Sequence, residues 1–118
     1  MISAKFTMDE ERKMVSLHMD GHANAGEYGH DLICASASIL AYTLAQNVKM
    51  ADSMGLLKYS PSIKLKKGKA IITCRAESDE TYAEICHIFL VIQTGFQVLA
   101  HNYPDYVVVA MFGEALEP

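Results

Sequence analysis

The chain has 118 residues, of which 51% are hydrophobic, and these values predict a single domain over residues 1–118 with a substantial core. Cys34, Cys74 and Cys86 are too few and too widely spaced for a disulfide framework and indicate free thiols in a reducing compartment. The net charge of −4 argues against a nucleic acid as the main partner. The N-terminal residues lack a signal-peptide pattern, and no uninterrupted apolar run is long enough to span a membrane.

Alternating residues in the first part of the chain predict a β-hairpin. Residues 2–8 and 14–20 each place apolar side chains at every second position, with a charged turn between them. A helix is then predicted from Asp31 to about Met54, with Asp31 as its N-cap and Gly55 as its C-terminal stop. This helix begins apolar on most sides, so it needs a cover besides the sheet, either a second helix or another subunit.

The rest of the chain predicts a second hairpin, a second helix and a final strand. Apolar and polar side chains alternate over residues 61–76 on both sides of a Lys-Gly turn. The lysines of this hairpin either contact an acidic partner or form a solvated face that blocks edge pairing. The second helix is capped by Ser78 or Asp79 and ends before Pro104, and residues 106–112 predict a buried strand. The core-facing stripe of the second helix is expected at Tyr82, Ile85, Phe89, Ile92, Phe96 and Leu99, widened by Ile88, Val91 and Val98. The order ββαββαβ indicates an α/β (α+β) fold, one sheet covered by two long helices.

A glycine-rich segment joins the first hairpin to the first helix. It contains Gly21, Gly26 and Gly29, and we expect it to be a mobile loop. Cys34 follows three residues after the expected cap, in the first helical turn, where unpaired N–H groups and the helix dipole favour a thiolate. His22, near the start of the loop, can fold back toward this thiol. A thiol at a helix start that faces an imidazole is the pair a cysteine nucleophile requires.

Two further side chains share the helix face of Cys34, because Asp31 and Ser38 precede and follow it by about one turn. Asp31 serves as the cap or orients His22. Ser38 either hydrogen-bonds a reaction intermediate or permits close packing above the thiol. Both residues are therefore candidate supporting residues of the site.

Other interpretations of these residues stay open. A free cysteine is most often a small buried hydrophobe, so the position of Cys34 does not by itself establish catalysis. His18, His22, His30 and Cys34 also form a zinc-like ligand set, although their spacing matches no pattern that we can justify. The other two thiols fall on apolar positions and are expected to be inert, since burial raises the pKa of a thiol.

The residues around Cys34 carry a family resemblance. The signature of the ribosomal-processing cysteine protease family, Prp, resembles the pattern seen here: Gly21-His22-Ala23, Gly26, Gly29, Asp31, Cys34-Ala35 and Ser38. The resemblance extends over the whole chain in length and element order. It implies a homodimer of the bacterial cytoplasm with a His22–Cys34 catalytic dyad and a glycine-rich loop that closes over the substrate. It also implies a substrate, the large-subunit ribosomal protein numbered twenty-seven, from which a short N-terminal extension is removed.

We therefore expect a cysteine endopeptidase that uses no cofactor and no metal. Cys34 attacks the scissile carbonyl, His22 protonates the leaving amine, and N–H groups at the helix start, including that of Cys34, hold the oxyanion. The expected partners are the ribosomal protein substrate and a second copy of the chain, with no direct nucleic acid and no membrane. The alternative is a non-catalytic module that binds a ribosomal protein or an assembly factor, with Cys34 merely buried.

Overall fold

The computed structural model describes residues 1–21 and 29–113, and describes residues 29–31 by their backbone. In this part of the chain the elements follow the predicted order ββαββαβ. The strands are β1 Ile2–Asp9, β2 Met14–Gly21, β3 Ser62–Lys66, β4 Lys69–Arg75 and β5 Val107–Ala110. The helices are α1 Gly29–Ser53 and α2 Asp79–Asn102. The prediction of two hairpins, two long helices and a final strand is confirmed.

The five strands form one sheet in the order β3-β4-β2-β1-β5. Neighbouring strands are antiparallel except β1 and β5, which are parallel because α2 carries the chain across the sheet between β4 and β5. The last strand is shorter than the predicted range of 106–112. Phe112 leaves the sheet, packs edge-to-face on Phe6, and donates its backbone N–H to the Oε1 of Gln93 over 2.9 Å.

The core lies between one face of the sheet and the two helices. Phe6 of β1 and Phe96 of α2 are fully buried, with ring centroids 5.8 Å apart. The six-residue stripe predicted for α2 is buried throughout, and Ser78 caps the helix in a reciprocal pair with Thr81. Val91 and Val98 were wrongly placed in the core and are 58% and 57% exposed, because they lie on the side of α2 that points away from the sheet.

The two helices cover one another only in part. They approach closely where Gly95 of α2 faces Leu40 of α1, since a Cβ at Gly95 would come within 2.6 Å of the Leu40 side chain. On the outward side of α1, Ile39 and Met50 are 61% and 59% exposed. A second helix within the chain therefore supplies some of the cover that α1 needs and leaves the rest open.

Among the described residues, α2 alone has the length and hydropathy that a membrane-spanning helix would need. The core helix of a globular domain has the same composition, and Ile85, Phe89 and Phe96 of α2 are buried against the sheet. The absence of membrane association stays a prediction.

Candidate active site

Cys34 lies near the N-terminal end of α1, where this helix passes over the ends of β1 and β2. Its side chain is partly exposed and packs at its base against the core. The thiol opens into a cleft of about 400 Å³. One wall of the cleft is α1, with Cys34, Ser38 and Tyr42 at successive turns of the helix. A partly exposed thiol on a cleft of this size is accessible to a peptide.

The other walls of the cleft come from the sheet and from the β3–β4 turn. Ile2 and Met19 form an apolar floor, and Lys66, Lys67 and Gly68 form the rim opposite α1. Ala35 and Ala37 are the small residues beside the thiol on α1, and they leave space next to it. Ser38, predicted as a supporting residue, is thus brought to the same cleft as Cys34.

The start of α1 differs from the prediction. The helix begins at Gly29, so Asp31 is its third residue and not its N-cap, and Cys34 is in the second turn. An aspartate is favoured both at the cap and in the first turn, so its presence alone does not fix the helix boundary. The N–H of Cys34 is then committed to the carbonyl of His30 within the helix and is not free for an oxyanion. The dipole also favours a thiolate less in the second turn.

The glycine-rich segment is shorter than predicted. Gly21 is the last residue of β2 and Gly29 is the first of α1, because strand pairing and helical hydrogen bonding each extend one residue into the expected loop. Gly26 and His22 lie outside the described residues, as does the side chain of Asp31. The mobility of this segment and the approach of His22 to Cys34 stay predictions.

Gly21 fixes the point where the chain leaves the sheet for this segment. Its φ of +103° lies in the region that favours glycine, and an added Cβ would overlap the backbone carbonyl oxygen of Met1. Its N–H donates to the carbonyl of Gly68 over 2.9 Å, which ties β2 to the β3–β4 turn at the edge of the cleft. Gly21 therefore fixes the backbone at the end of β2, on the edge of the cleft.

We expect Gly21→Ala to lower the free energy of unfolding by about 2 kcal/mol or more, because the strain falls on two backbone segments that cannot move apart cheaply. Urea unfolding followed by circular dichroism measures this loss. Gly55→Ala is the matched control, since Gly55 also has a positive φ of +76° but no atom within 4 Å of an added Cβ. Equal losses in the two variants would contradict the clash with Met1.

The two remaining thiols lie away from the cleft. Cys74 is 3% exposed in β4, and its burial, with a smaller contribution from nearby Cys86, raises its pKa to about 12. Cys86 is partly exposed on α2, and desolvation raises its pKa as well. It borders a separate cavity with Met8, at the opposite end of β1 from the Ile2 that floors the cleft. Neither thiol is placed to act on a peptide bound beside Cys34.

We expect iodoacetamide at pH 8 to modify Cys34 well before Cys74. A thiol with a pKa of about 12 is ionised to about 1 part in 10⁴ at this pH, and only the thiolate reacts. Peptide mapping of samples quenched over time gives the two rates. Similar rates for Cys34 and Cys74 in the folded protein would show that the burial of Cys74 does not suppress its ionisation.

The zinc-like ligand set does not assemble as a whole. His18 of β2 pairs with Lys5 and Ile71 on the face of the sheet away from the helices, whereas its neighbour Met19 reaches the cleft. His18 is thus on the opposite side of the sheet from Cys34 and cannot join it. Among the described side chains, those of residues 1–21 and 32–113, no group of three or more His, Cys, Asp or Glu is arranged to hold a metal ion.

Comparison with known proteins identifies the family. The family model described as cysteine protease Prp matches residues 1–108 of the chain. The chain belongs to this family. Over 42 residues it is 48% identical to the ribosomal processing cysteine protease Prp of Staphylococcus aureus, in two strains. That match covers 36% of this chain and 40% of the Prp proteins, so the chain spans less than half the length of the curated relatives it matches.

Solved Prp structures share the fold. The essential ribosomal processing protease Prp of S. aureus in complex with a covalently linked product peptide has a TM-score of 0.67 at 28% identity. The same protein in complex with a substrate peptide has a TM-score of 0.64 at 27% identity. Each comparison covers 95% of this chain and 99% of the Prp chain. A Streptococcus mutans protein gives a TM-score of 0.67 at 26% identity, covering 95% of both chains. The predicted fold and family are confirmed.

Sequence reasoning did not find every residue of the cleft. Tyr42 was overlooked, although it follows Cys34 and Ser38 at the same four-residue spacing and so had to share their helix face. Lys66 and Lys67 were noted as a basic turn and not as part of the site. Their place opposite α1 depends on the pairing of β4 with β2, which no local pattern in the sequence encodes.

Proposed function

We propose that this chain is a cysteine endopeptidase that removes an N-terminal extension from a ribosomal protein, the large-subunit protein numbered twenty-seven. The observation that carries the proposal is the partly exposed thiol of Cys34 on a cleft of about 400 Å³, in a chain of the Prp family. The S. aureus Prp structures with substrate and product peptides add support. Maturation of a ribosomal protein would take place in the cytoplasm, which is the location we propose.

The proposed mechanism proceeds through an acyl-enzyme. The Cys34 thiolate attacks the scissile carbonyl carbon and forms a tetrahedral intermediate, whose C–N bond breaks as His22 protonates the leaving amine. His22 then takes a proton from water, which hydrolyses the thioester and releases the acid product and the Cys34 thiolate. Asp31 orients His22, and Ser38 contacts the intermediate from the next turn of α1. No cofactor or metal enters these steps.

Oxyanion stabilisation has to come from donors other than the N–H of Cys34. Within α1 that group bonds to a backbone carbonyl, and the N–H of Gly21 is already bonded to Gly68. Among the described residues of the cleft, the side chains that can donate are the hydroxyls of Ser38 and Tyr42 and the ammonium groups of Lys66 and Lys67. The segment between β2 and α1 would bring further donors on binding. We therefore propose that this segment completes the site when it closes over a substrate.

The test is incubation of the chain with the ribosomal protein carrying its N-terminal extension, followed by intact mass measurement. An endopeptidase splits the substrate at one bond, and the two product masses sum to the substrate mass plus one water. The alternative, a non-catalytic binding module, would give a complex on size exclusion and an unchanged substrate mass. An unchanged mass with the wild-type chain would overturn the proposed activity.

We further propose that the chain forms a symmetric homodimer through the outward side of its helices. Leu90, Val91 and Val98 of α2 are between 44% and 58% exposed, and Ile39 of α1 is 61% exposed. Exposed apolar side chains of this number on neighbouring helices are typical of an interface. A second copy of the chain would supply the cover that the two helices leave incomplete.

We expect Val91→Glu to convert the homodimer to a monomer at micromolar concentration, because it places an unpaired charge in an apolar interface. Multi-angle light scattering gives the mass directly. Val108→Glu is the matched control, since Val108 is also exposed but lies in β5, away from the outward helix faces. A wild-type chain that is monomeric at the same concentration would contradict the dimer.

A further inference from the structure

The charges of this chain are strongly segregated. Residues 57–76, which contain β3 and β4, hold six of the ten basic residues and none of the fourteen acidic ones. We call this stretch the basic hairpin. The other 98 residues therefore carry fourteen acidic side chains against four basic ones. The net charge of −4 therefore conceals a local excess of positive charge on the basic hairpin. The electrostatic field of such a patch attracts an anionic partner to that part of the surface.

The basic hairpin exposes its cations on the face of the sheet that the helices leave open. Ala70, Ile72 and Cys74 of β4 are buried toward the helices, so Lys69 and Arg75 point to the opposite face. Lys64 of β3 lies on that same face, because it pairs with Ile71, and Lys66 pairs with Lys69 at the end of the hairpin that also borders the cleft. Within the described residues, no helix packs on this face and none of these cations forms an ion pair with a carboxylate within 4 Å.

Protection of a sheet edge accounts for only part of this pattern. Lysines on an edge strand discourage pairing with another chain, which suits Lys64 and Lys66 of the edge strand β3. Lys69 and Arg75 belong to β4, which has a partner on both sides and has no edge to protect. They place positive charge at both ends of β4, about 20 Å apart, with Asp20 of β2 opposite Lys69. A charged strip of this length fits a polymer of anions better than a single carboxylate.

An aromatic ring and hydroxyl groups accompany the cations. Tyr59 is 59% exposed, and its ring lies 5.6 Å from the Arg75 guanidinium carbon and 5.8 Å from the Lys58 Nζ. A base can stack on this exposed ring in place of one of the cations that lie over it, while the cations contact phosphates. Ser62 and Thr73 form a neighbouring row of hydroxyls, which can donate to phosphate and sugar oxygens. An acidic peptide would use the cations but not the ring.

We propose that the open face of the basic hairpin binds RNA, which reverses the expectation, based on the net charge, that the chain has no direct nucleic-acid partner. The phosphates contact Lys64, Lys69 and Arg75, and a base stacks on Tyr59. The β3–β4 turn also forms the rim of the cleft opposite Cys34. An RNA on this face would therefore lie beside a peptide in the cleft, which suits an enzyme that meets its ribosomal protein next to RNA. This last link rests on the proposed function, whereas the binding itself does not.

The test is fluorescence anisotropy of a labelled, single-stranded RNA of about 20 nucleotides, titrated with the full chain between 50 and 200 mM KCl. We expect binding that weakens as salt rises, because phosphate contacts release counterions. Lys64→Glu should weaken binding at every salt concentration and reduce the slope of log K against log salt by roughly 1. Lys49→Glu is the matched control, since it makes the same charge change on an exposed position of α1, and should leave binding unchanged.

Two further measurements separate RNA from other partners and from the proposed activity. Tyr59→Ala should lower the affinity for RNA by about 5-fold or more while the salt slope stays the same, as expected for a lost stacking contact. Polyglutamate of equal length should compete poorly. Equal competition by polyglutamate, an unaffected Tyr59→Ala variant, or no RNA binding at 50 mM KCl would overturn the proposal. Peptide cleavage by Lys64→Glu protein is measured alongside, so loss of RNA binding and loss of activity are distinguished.

Discussion

Cys34→Ala is expected to reduce peptide cleavage by at least about 10⁴-fold, because the thiolate forms the covalent bond on which the proposed reaction depends. No other thiol can take its place. Cys74 is buried in the sheet, and Cys86 lies with Met8 at the far end of β1 from the cleft. Initial rates with the extended ribosomal protein, measured by intact mass at equal enzyme concentrations, give the factor.

The same substitution should leave the fold intact. Cys34 is partly exposed, and alanine has the highest propensity for a helix interior, so the free energy of unfolding should change by less than about 1 kcal/mol. Cys86→Ala is the matched control, since it makes the same truncation at another partly exposed helical thiol. We expect this variant to cleave at the wild-type rate. Undiminished cleavage by Cys34→Ala protein would remove Cys34 from the mechanism.

His22→Ala is expected to slow cleavage by about 10² to 10⁴-fold, the usual range for loss of a general acid–base group. Because α1 begins at Gly29, Cys34 lies beyond the first turn and gains less from the helix dipole than a first-turn position would. The proposed mechanism therefore relies on His22 to accept the thiol proton. The same variant should also slow the alkylation of Cys34 at pH 7.

His18→Ala separates the dyad from a general effect of removing a histidine. His18 is exposed on the open face of β2 and should contribute neither to cleavage nor to the reactivity of Cys34. Elemental analysis of the purified chain tests the zinc alternative at the same time. About one zinc per chain, lost in His22→Ala protein, would contradict the acid–base role and favour a metal site.

The elements of this fold follow from local patterns in the sequence. Alternation over residues 2–8 and 14–20 is enough to locate β1 and β2, since one face of each strand meets an apolar core and the other does not. The six-residue stripe of α2 is equally local, and every member is buried. The prediction was wrong for Val91 and Val98, because the hydrophobicity of a residue does not show whether its side of the helix is packed against another element.

The candidate site is only partly local. Cys34, Ser38 and Tyr42 share a helix face by spacing alone, so this wall of the cleft is predictable. The opposite wall requires Gly68 to meet Gly21, a contact made by strands distant in sequence. The start of α1 was misplaced because Asp31 suits two positions of a helix almost equally well. The correct helix start also changes the expected chemistry, because the N–H of Cys34 is bonded within α1 and cannot serve as an oxyanion donor.

The most direct test of Cys34 as the nucleophile uses a substrate peptide whose scissile bond is replaced by a chloromethyl ketone. A nucleophilic thiolate displaces chloride and forms a thioether, which adds the mass of the peptide less one HCl. We predict one such adduct per chain, located at Cys34 by peptide mapping, with none in Cys34→Ala protein and slow formation in His22→Ala protein. An adduct at Cys74 or Cys86, or no adduct from a chain that cleaves the parent substrate, would contradict the proposed mechanism.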